Sequence, residues 1–368
     1  MIEGLSEQNW SRIRPITNPF LGHDFFSALK ESQSIGSEAG WELKILKNAN
    51  EDAALYYFEK THSYGEYIFD WQWAEAYNKY GLNYYPKLTS MLPFTPVTTN
   101  HFLMETFNQE KATELLIQFE ETYNKGNYSS SHFLFLNQNE INLFASQNYL
   151  IRESIQYHFF NKSYLNFEHF LKTLKGRKAK QIRAERWHPE LEMTSYTGET
   201  LTLDHAERMY QFYISTIQNK NSFDYLNLEF FKIIFRTMKD KILYIEATRN
   251  KSPVAGSLFF YDQETIYGRY WGSTEYIENL HFELCYYQGI DFCIKHNLKK
   301  FEAGAQGEHK ISRGFRPIRT FSAHKIKHPA FSEAIKNFIE SEKEHIAQTI
   351  HELSKSLPFK ESDLDFRS

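Results

Sequence analysis

Apolar positions along this 368-residue chain change their spacing repeatedly, and each change marks an element. Asn18-Pro19 ahead of Phe25, Phe26, Ala28 and Leu29 predicts a capped helix start. Trp41, Leu43 and Ile45 then alternate with polar residues, which predicts a strand over Trp41 to Lys47. Ala53 to Phe58 reads as a second strand, paired with the first as a hairpin. Asp70 is placed to cap a helix from Trp71 to about Tyr80, where Gly81 ends it. Pro86 and the run Pro93-Phe94-Thr95-Pro96 impose extended backbone. Helical spacing returns over Glu110 to Tyr123, with Leu115, Leu116 and Phe119 on one side. A strand at Ser131 to Leu136, a short helix at Asn139 to Gln147 and a strand region at Tyr149 to Phe160 complete this half.

The second half opens with an amphipathic pattern over residues 164–186, in which Phe167, Phe170, Leu171 and Leu174 share one face of a long helix. Lys172, Lys175, Arg177, Lys178, Lys180, Arg183 and Arg186 occupy the other. That face reads either as a solvated surface or as a phosphate-facing ridge for an RNA or a nucleotide cofactor. Helices follow at Leu203 to Gln218 and Leu228 to Met238. Three antiparallel strands come next, at Lys241 to Thr248, Pro253 to Tyr261 and Thr265 to Trp271, with Asn250 and Asp262 suited to their turns. A helix over His281 to His296 leads into short strands at Lys300 to Ala303 and about Thr320 to Ile326. Gly289 inside that helix implies close packing on a sheet. The pattern describes α+β units with mixed sheets flanked by helices. The expected division is residues 1–161, residues 162–330 and a helical tail over 331–368.

Composition narrows the classes. A chain of this length is too long for one core, and 17% aromatic residues exclude global disorder. A net charge of −4 argues against a protein that coats nucleic acid nonspecifically, while leaving room for a local basic groove. Cys285 and Cys293 are expected as buried thiols in a reducing cytoplasm, with neither a bridge nor a zinc site between them. The first ten residues lack a basic segment followed by an apolar run, so no signal peptide is expected. No apolar run is long enough for a membrane span, so stable membrane insertion is not expected either. No spacing of His, Cys or carboxylates predicts a metal site.

Chemistry concentrates in one stretch, FEAGAQGEHKISRGF over residues 301–315 with Arg316 beside it. Glycines there permit positive φ or close backbone approach. Glu, Gln, His, Lys and Arg supply an acid, a base, an amide and three cations within one loop. Tyr270, Trp271 and Ser273 end a strand that points towards the start of the 281–296 helix. In the first half, His62, Tyr64 and Glu66 precede an aromatic-rich helix and suit a substrate-binding wall.

Together with HSYGEYIFDW (62–71), YYPKLTSMLPFTPV (84–97), KAKQIRAER (178–186) and YGRYWGS (267–273), that loop resembles the FemAB-like branch of the GNAT N-acyltransferases. The resemblance implies two tandem GNAT-like domains and transfer of an acyl or aminoacyl group to an amine, with a small molecule or a peptidoglycan precursor as acceptor. It leaves acyl-CoA and aminoacyl-tRNA both open as donor. Coenzyme A-using relatives carry a glycine-rich pyrophosphate loop ahead of the long helix; here Gly272 to Asn279 holds one glycine and two carboxylates, a poor anion nest that favours the tRNA-borne donor. Amide formation needs a base near the acceptor nitrogen, and Glu308 and His309 are favoured over Glu302, which is expected to face solvent from its strand. Gln306, Lys310, Arg313 and Arg316 are candidates for binding substrate, a phosphate or the developing oxyanion. Two competing readings are an acetyl-CoA-dependent acetyltransferase of small amines and a noncatalytic module that recognises peptidoglycan precursors or RNA.

Overall fold

The computed structural model describes residues 10–363 apart from 12, 14–17 and 221. The chain divides into two compact units. The first runs to Ile155 and takes back Arg319–Thr349; the second is Gln156–Ile318 with the chain from Ile350 onward. In chain order the strands are β1 (Trp41–Lys47), β2 (Ala54–Lys60), β3 (Lys87–Ser90), β4 (Phe102–Leu103), β5 (Ser130–Leu136), β6 (Leu150–Phe160), β7 (Glu192–Tyr196), β8 (Ile242–Arg249), β9 (Ser252–Tyr261), β10 (Thr265–Ser273), β11 (Lys300–Glu302) and β12 (Arg316–Ile326).

Each unit holds the same strand plan. In the first, β1, β2 and β3 form an antiparallel meander, β5 joins β3 in parallel, and β12 closes antiparallel to β5. In the second, β8, β9 and β10 form the meander, β11 joins β10 in parallel, and β6 closes antiparallel to β11. The parallel step needs a crossover, and helices supply it: Gln109–Lys125 in the first unit and residues 280–295 in the second. Each closing strand comes from the far side of its unit's sequence, β12 after the whole second half and β6 before it. That exchange is why the expected boundary at 330 is not observed: residues 321–326 are held by β5, and the chain re-enters the first unit at Arg319.

Local signals account for most elements. Asn108, Asn137, Asn166 and Asn227 each accept a backbone N–H in the first turn of the following helix. The β1/β2 hairpin forms as expected, its turn closed by Asn48 accepting from Asp52 and Ala53. Two expectations fail. The helix over 164–186 is two helices, Phe167–Thr173 and Gly176–Glu185. Between them Leu174 is extended and bridges Phe359, while the Lys175 N–H donates to Pro358. Asp70 precedes the helix Trp71–Lys79 but makes no side-chain cap bond, because a buried lysine takes its carboxylate. The short strand β7 was not foreseen; it pairs antiparallel with β8 along the edge of the second unit.

Glycines mark where layers touch in the second unit. A Cβ on Gly289 would lie 2.6 Å from the Phe301 ring, so the crossover helix sits directly on β11 as expected. A Cβ on Gly272 would collide with the carbonyl of Phe212, so β10 meets the backbone of helix Leu203–Asn219 there. Gly272 therefore serves packing rather than an anion loop.

Candidate active site

The second unit opens where its parallel pair ends. β10 and β11 are in register from Thr265 with Lys300 to Tyr267 with Glu302. β10 then continues to Ser273, whereas the chain after Glu302 turns away through Gly304 and Gly307, both at positive φ. The strands part, and a cavity of about 230 Å³ lies between Gly268–Trp271 on one side and Ala303–Gln306 with Lys310 on the other.

A break in helical regularity builds the third wall. Glu283–Tyr287 is a single π-helical turn inside the crossover helix. The Ser257 hydroxyl captures the Leu284 carbonyl at 2.9 Å, and both Cys285 and Tyr286 line the cavity.

Lys310 is the centre of the site. Only 2% of it is exposed, and its Nζ donates to the Gly304 carbonyl at 3.1 Å and to the Gln306 carbonyl. Burial, with the Arg269 guanidinium adding to it, pushes the amine down to about 7. Its charge therefore changes near neutral pH. His281, also lining the cavity, is pushed down to about 4 by burial and by surrounding His309, Lys220, Lys310 and Arg313. The His309 Nε2 lies 2.9 Å from the Tyr286 hydroxyl. Burial, Arg313 and Lys310 hold that imidazole below its usual value, so it is neutral at pH 7 and able to accept a proton.

Other candidates settle into different places. Tyr270, Trp271 and Gln306 line the cavity; Ser273 ends β10 beyond it. Glu308 is exposed at the start of the turn Glu308–Arg313. Glu302 does not face solvent as expected: it is buried, with one oxygen 2.6 Å from Lys300 and the other 4.0 Å from His158. Burial pushes His158 down to about 4, so it offers Glu302 no charge at neutral pH. Arg313 grips Glu185 through two bonds of 3.0 and 2.9 Å, lies 3.5 Å over the Phe282 ring and donates to the His309 carbonyl. It braces the turn that carries His309. Arg316 stacks 4.9 Å over Phe359. Half-buried Cys285 is pushed up by burial, which leaves it a thiol. Along the basic segment, Arg186 is taken by Glu283 and Asp291 and Arg183 by Glu168, while Lys172, Lys175, Arg177 and Lys180 stay exposed.

In the first unit, His62 binds the Ala39 carbonyl and Tyr64 packs at a tilt against Trp71 with centroids 5.0 Å apart. Glu66 lies deep in an ion cluster, 2.8 Å from Lys87, which also holds Asp70. After β3, Met91, Leu92 and Phe94 are buried. A larger groove of about 1070 Å³ lies beside helix Gln288–Lys295, but its Asp291 is already paired with Arg186. Sequence reasoning missed Arg269, Tyr286 and Lys220 and placed His281 only at the start of its helix. A charged residue inside the aromatic strand YGRYWGS was the available signal for Arg269.

Comparison with known proteins bears on family and fold. A family model described as FemAB-like, peptidoglycan biosynthesis/recognition, matches residues 1–361. No curated protein gives a significant sequence match. Among solved structures, FemX superposes with a TM-score of 0.56 at 8% identity, covering 90% of this chain and 98% of its own. The C-terminal domain of a putative lysylphosphatidylglycerol synthetase from Agrobacterium fabrum gives 0.54 at 7% identity, covering 90% and 96%. L-PGS from Bacillus licheniformis gives 0.53 at 10%, covering 89% and 98%. At such identities these likenesses speak for the fold. Among the described residues no helix is long and apolar enough to cross a membrane. With the family model spanning nearly the whole sequence, the chain belongs to the FemAB-like family.

Proposed function

We propose that the protein is an N-acyltransferase that joins an acyl or aminoacyl group to the amine of a peptidoglycan precursor, with the chemistry in the cavity between β10 and β11. The observation that carries this reading is Lys310, a buried amine titrating near neutrality at the point where two parallel strands part. FemX and the two lysylphosphatidylglycerol-type structures, similar in fold, support the aminoacyl form of the reaction.

The acceptor nitrogen attacks the acyl carbon, a C–N bond forms, and negative charge develops on the carbonyl oxygen. Lys310 and the Arg269 guanidinium line the same cavity and stabilise that charge in a site of low dielectric. Charge developing on the oxygen also favours the protonated form of Lys310. The proton released by the acceptor amine passes to the Tyr286 hydroxyl, whose own proton passes to neutral His309. The donor's C–O or C–S bond then breaks, and the leaving group is reprotonated through the same pair. Gly304 and Gln306 hold Lys310 in place through their carbonyls.

The first unit is assigned a supporting role, because the residues that follow β3, Met91, Leu92 and Phe94, are apolar and buried and offer no titratable group. Acyl-CoA and aminoacyl-tRNA both satisfy the chemistry. Arg249 engages Glu275 in the Gly272–Asn279 loop at 2.9 Å, which supports the tRNA-borne donor over a pyrophosphate bound in that loop. Incubation with each donor and a peptidoglycan-precursor acceptor, read by mass spectrometry of the amide, tests the assignment. Product with either donor that disappears in Lys310→Gln supports it; product unaffected by Lys310→Gln refutes it.

A further inference from the structure

One side of helix Gly176–Glu185 belongs to the frame of the active site. Glu185 holds Arg313, Arg186 holds Glu283, and Ala179 and Ile182 are buried. The other side carries charge that the fold does not use. Arg177, Lys180 and Ala184 follow one another at i, i+3 and i+7, all exposed. Lys172 and Lys175, exposed where helix Phe167–Thr173 gives way to this one, extend the stripe. Among the described residues, no carboxylate pairs with Lys172, Lys175, Arg177 or Lys180; the pairs along this stretch go to Arg183 and Arg186. Residues 162–187 hold eight Lys and Arg against two Glu, a surplus of six in a chain of net charge −4, so the remainder carries −10. The acidic remainder already serves solubility, and the stripe opposes it. The far end of the stripe is apolar: Trp187 is 75% exposed and Leu165 84%. The Arg183–Glu168 pair and the Arg186 guanidinium, 4.0 Å over the Phe167 ring, tie the end of the second helix to the start of the first, which sets Trp187 and Leu165 at one end.

We propose that this basic stripe and its apolar end form a docking surface for an anionic lipid bilayer, on which the protein rests peripherally. The cations alone would suit the phosphates of an RNA equally well. Leu165 and Trp187 decide between the two. An aliphatic side chain gains nothing against a solvated phosphate backbone, whereas Leu and Trp beside Lys and Arg partition into the boundary between headgroups and acyl chains. Such docking needs no helix that crosses the membrane. It also does not depend on the acyl-transfer reading. Because Glu185 and Arg186 tie the same helix to Arg313 and Glu283, docking holds the cavity at a set height above the lipid surface.

Co-sedimentation of the full-length protein with vesicles tests this. Wild type is expected to sediment with equimolar phosphatidylglycerol and phosphatidylcholine, to stay in solution with phosphatidylcholine alone, and to be released as salt screens the charge. Each Lys or Arg near an anionic surface raises partitioning about fivefold, so Lys175→Gln combined with Arg177→Gln is expected to weaken it about thirtyfold. Both positions are exposed, and thermal unfolding of this variant is expected to match wild type. Leu165→Ser combined with Trp187→Ser is expected to weaken partitioning at high salt as well as low, because burial of apolar surface is not screened. Absence of partitioning by wild type, equal partitioning onto neutral vesicles, or undiminished partitioning of the Lys175 and Arg177 variant would overturn the proposal. An undiminished Leu165 and Trp187 variant would leave charge as the whole attraction and overturn the lipid assignment. Tighter binding of an RNA duplex than of the vesicles, lost in the Lys175 and Arg177 variant, would give the stripe to RNA and overturn it too.

Discussion

The Tyr286 hydroxyl and the His309 Nε2 lie 2.9 Å apart, joining a cavity-lining group to an imidazole on the neighbouring turn. If the pair moves one proton, neither member works without the other. Tyr286→Phe and His309→Gln are each expected to lower kcat by about 10²–10⁴-fold. The double variant should lose little more than either single one, because a shared path is removed only once. Steady-state kinetics of the three variants checks this; multiplicative losses would mean independent roles.

Lys310 also predicts how stability depends on pH. Its pKa in the folded protein is about 7, below the ordinary lysine value, so the unfolded chain binds more protons in between. Stability due to this residue therefore rises with pH from 7 towards 10 and is least below 7, where the buried amine must carry charge. Urea denaturation of wild type and Lys310→Met is expected to show the wild type gaining on the variant from pH 7 to 9.5. A pH-independent difference would contradict the assigned environment.

Arg313 is expected to act on stability first. Its guanidinium and the Glu185 carboxylate are both buried and doubly bonded, and removing one partner strands the other. Arg313→Ala should cost about 3–5 kcal/mol. Calorimetric unfolding should show the loss, and activity of the folded fraction should be spared more than in Lys310→Gln.

The first unit offers a parallel case. Lys87 donates to Ser63, Glu66 and Asp70, all buried, while Tyr84 donates to Asp70 at 2.7 Å. Burial alone would raise the Asp70 carboxyl, but Lys87 beside it holds it below the usual range. Its contribution is present above the unfolded value and is lost as pH falls through the folded one. Asp70→Asn should destabilise the protein at pH 7, and the gap from wild type should narrow on acidification below about 4. Thermal unfolding followed from pH 7 down to about pH 2 reports both.

These same residues show what a sequence discloses and what it hides. Periodicity placed the meander Lys241 to Tyr261 and the crossover helix, because each half-buried surface repeats at the spacing of its element. The glycines of the 301–315 loop announced its bends, and Gly304, Gly307 and Gly314 all take positive φ. Burial of charge was not visible. Lys310 and Glu302 look like surface residues in a polar stretch, and only long-range packing brings Tyr157, Tyr286 and Arg269 around them. Asp70 likewise resembles a helix cap until Lys87 is found opposite. The helix over 164–186 was split by residues 358–359, which no local pattern announces. The exchange of β6 and β12 was hidden for the same reason: strand order is a property of pairing, and pairing partners lie far apart in the chain.

The most direct test of the whole account is the pH dependence of kcat/KM for amide formation in wild type and Lys310→Arg, with whichever donor yields product. The account predicts a wild-type falling limb near pH 7, where Lys310 loses its charge, and its displacement out of range in the arginine variant, whose guanidinium stays charged. A falling limb that stays near pH 7 in Lys310→Arg, at undiminished rate, would contradict the assignment of Lys310 as the charge that stabilises the oxyanion.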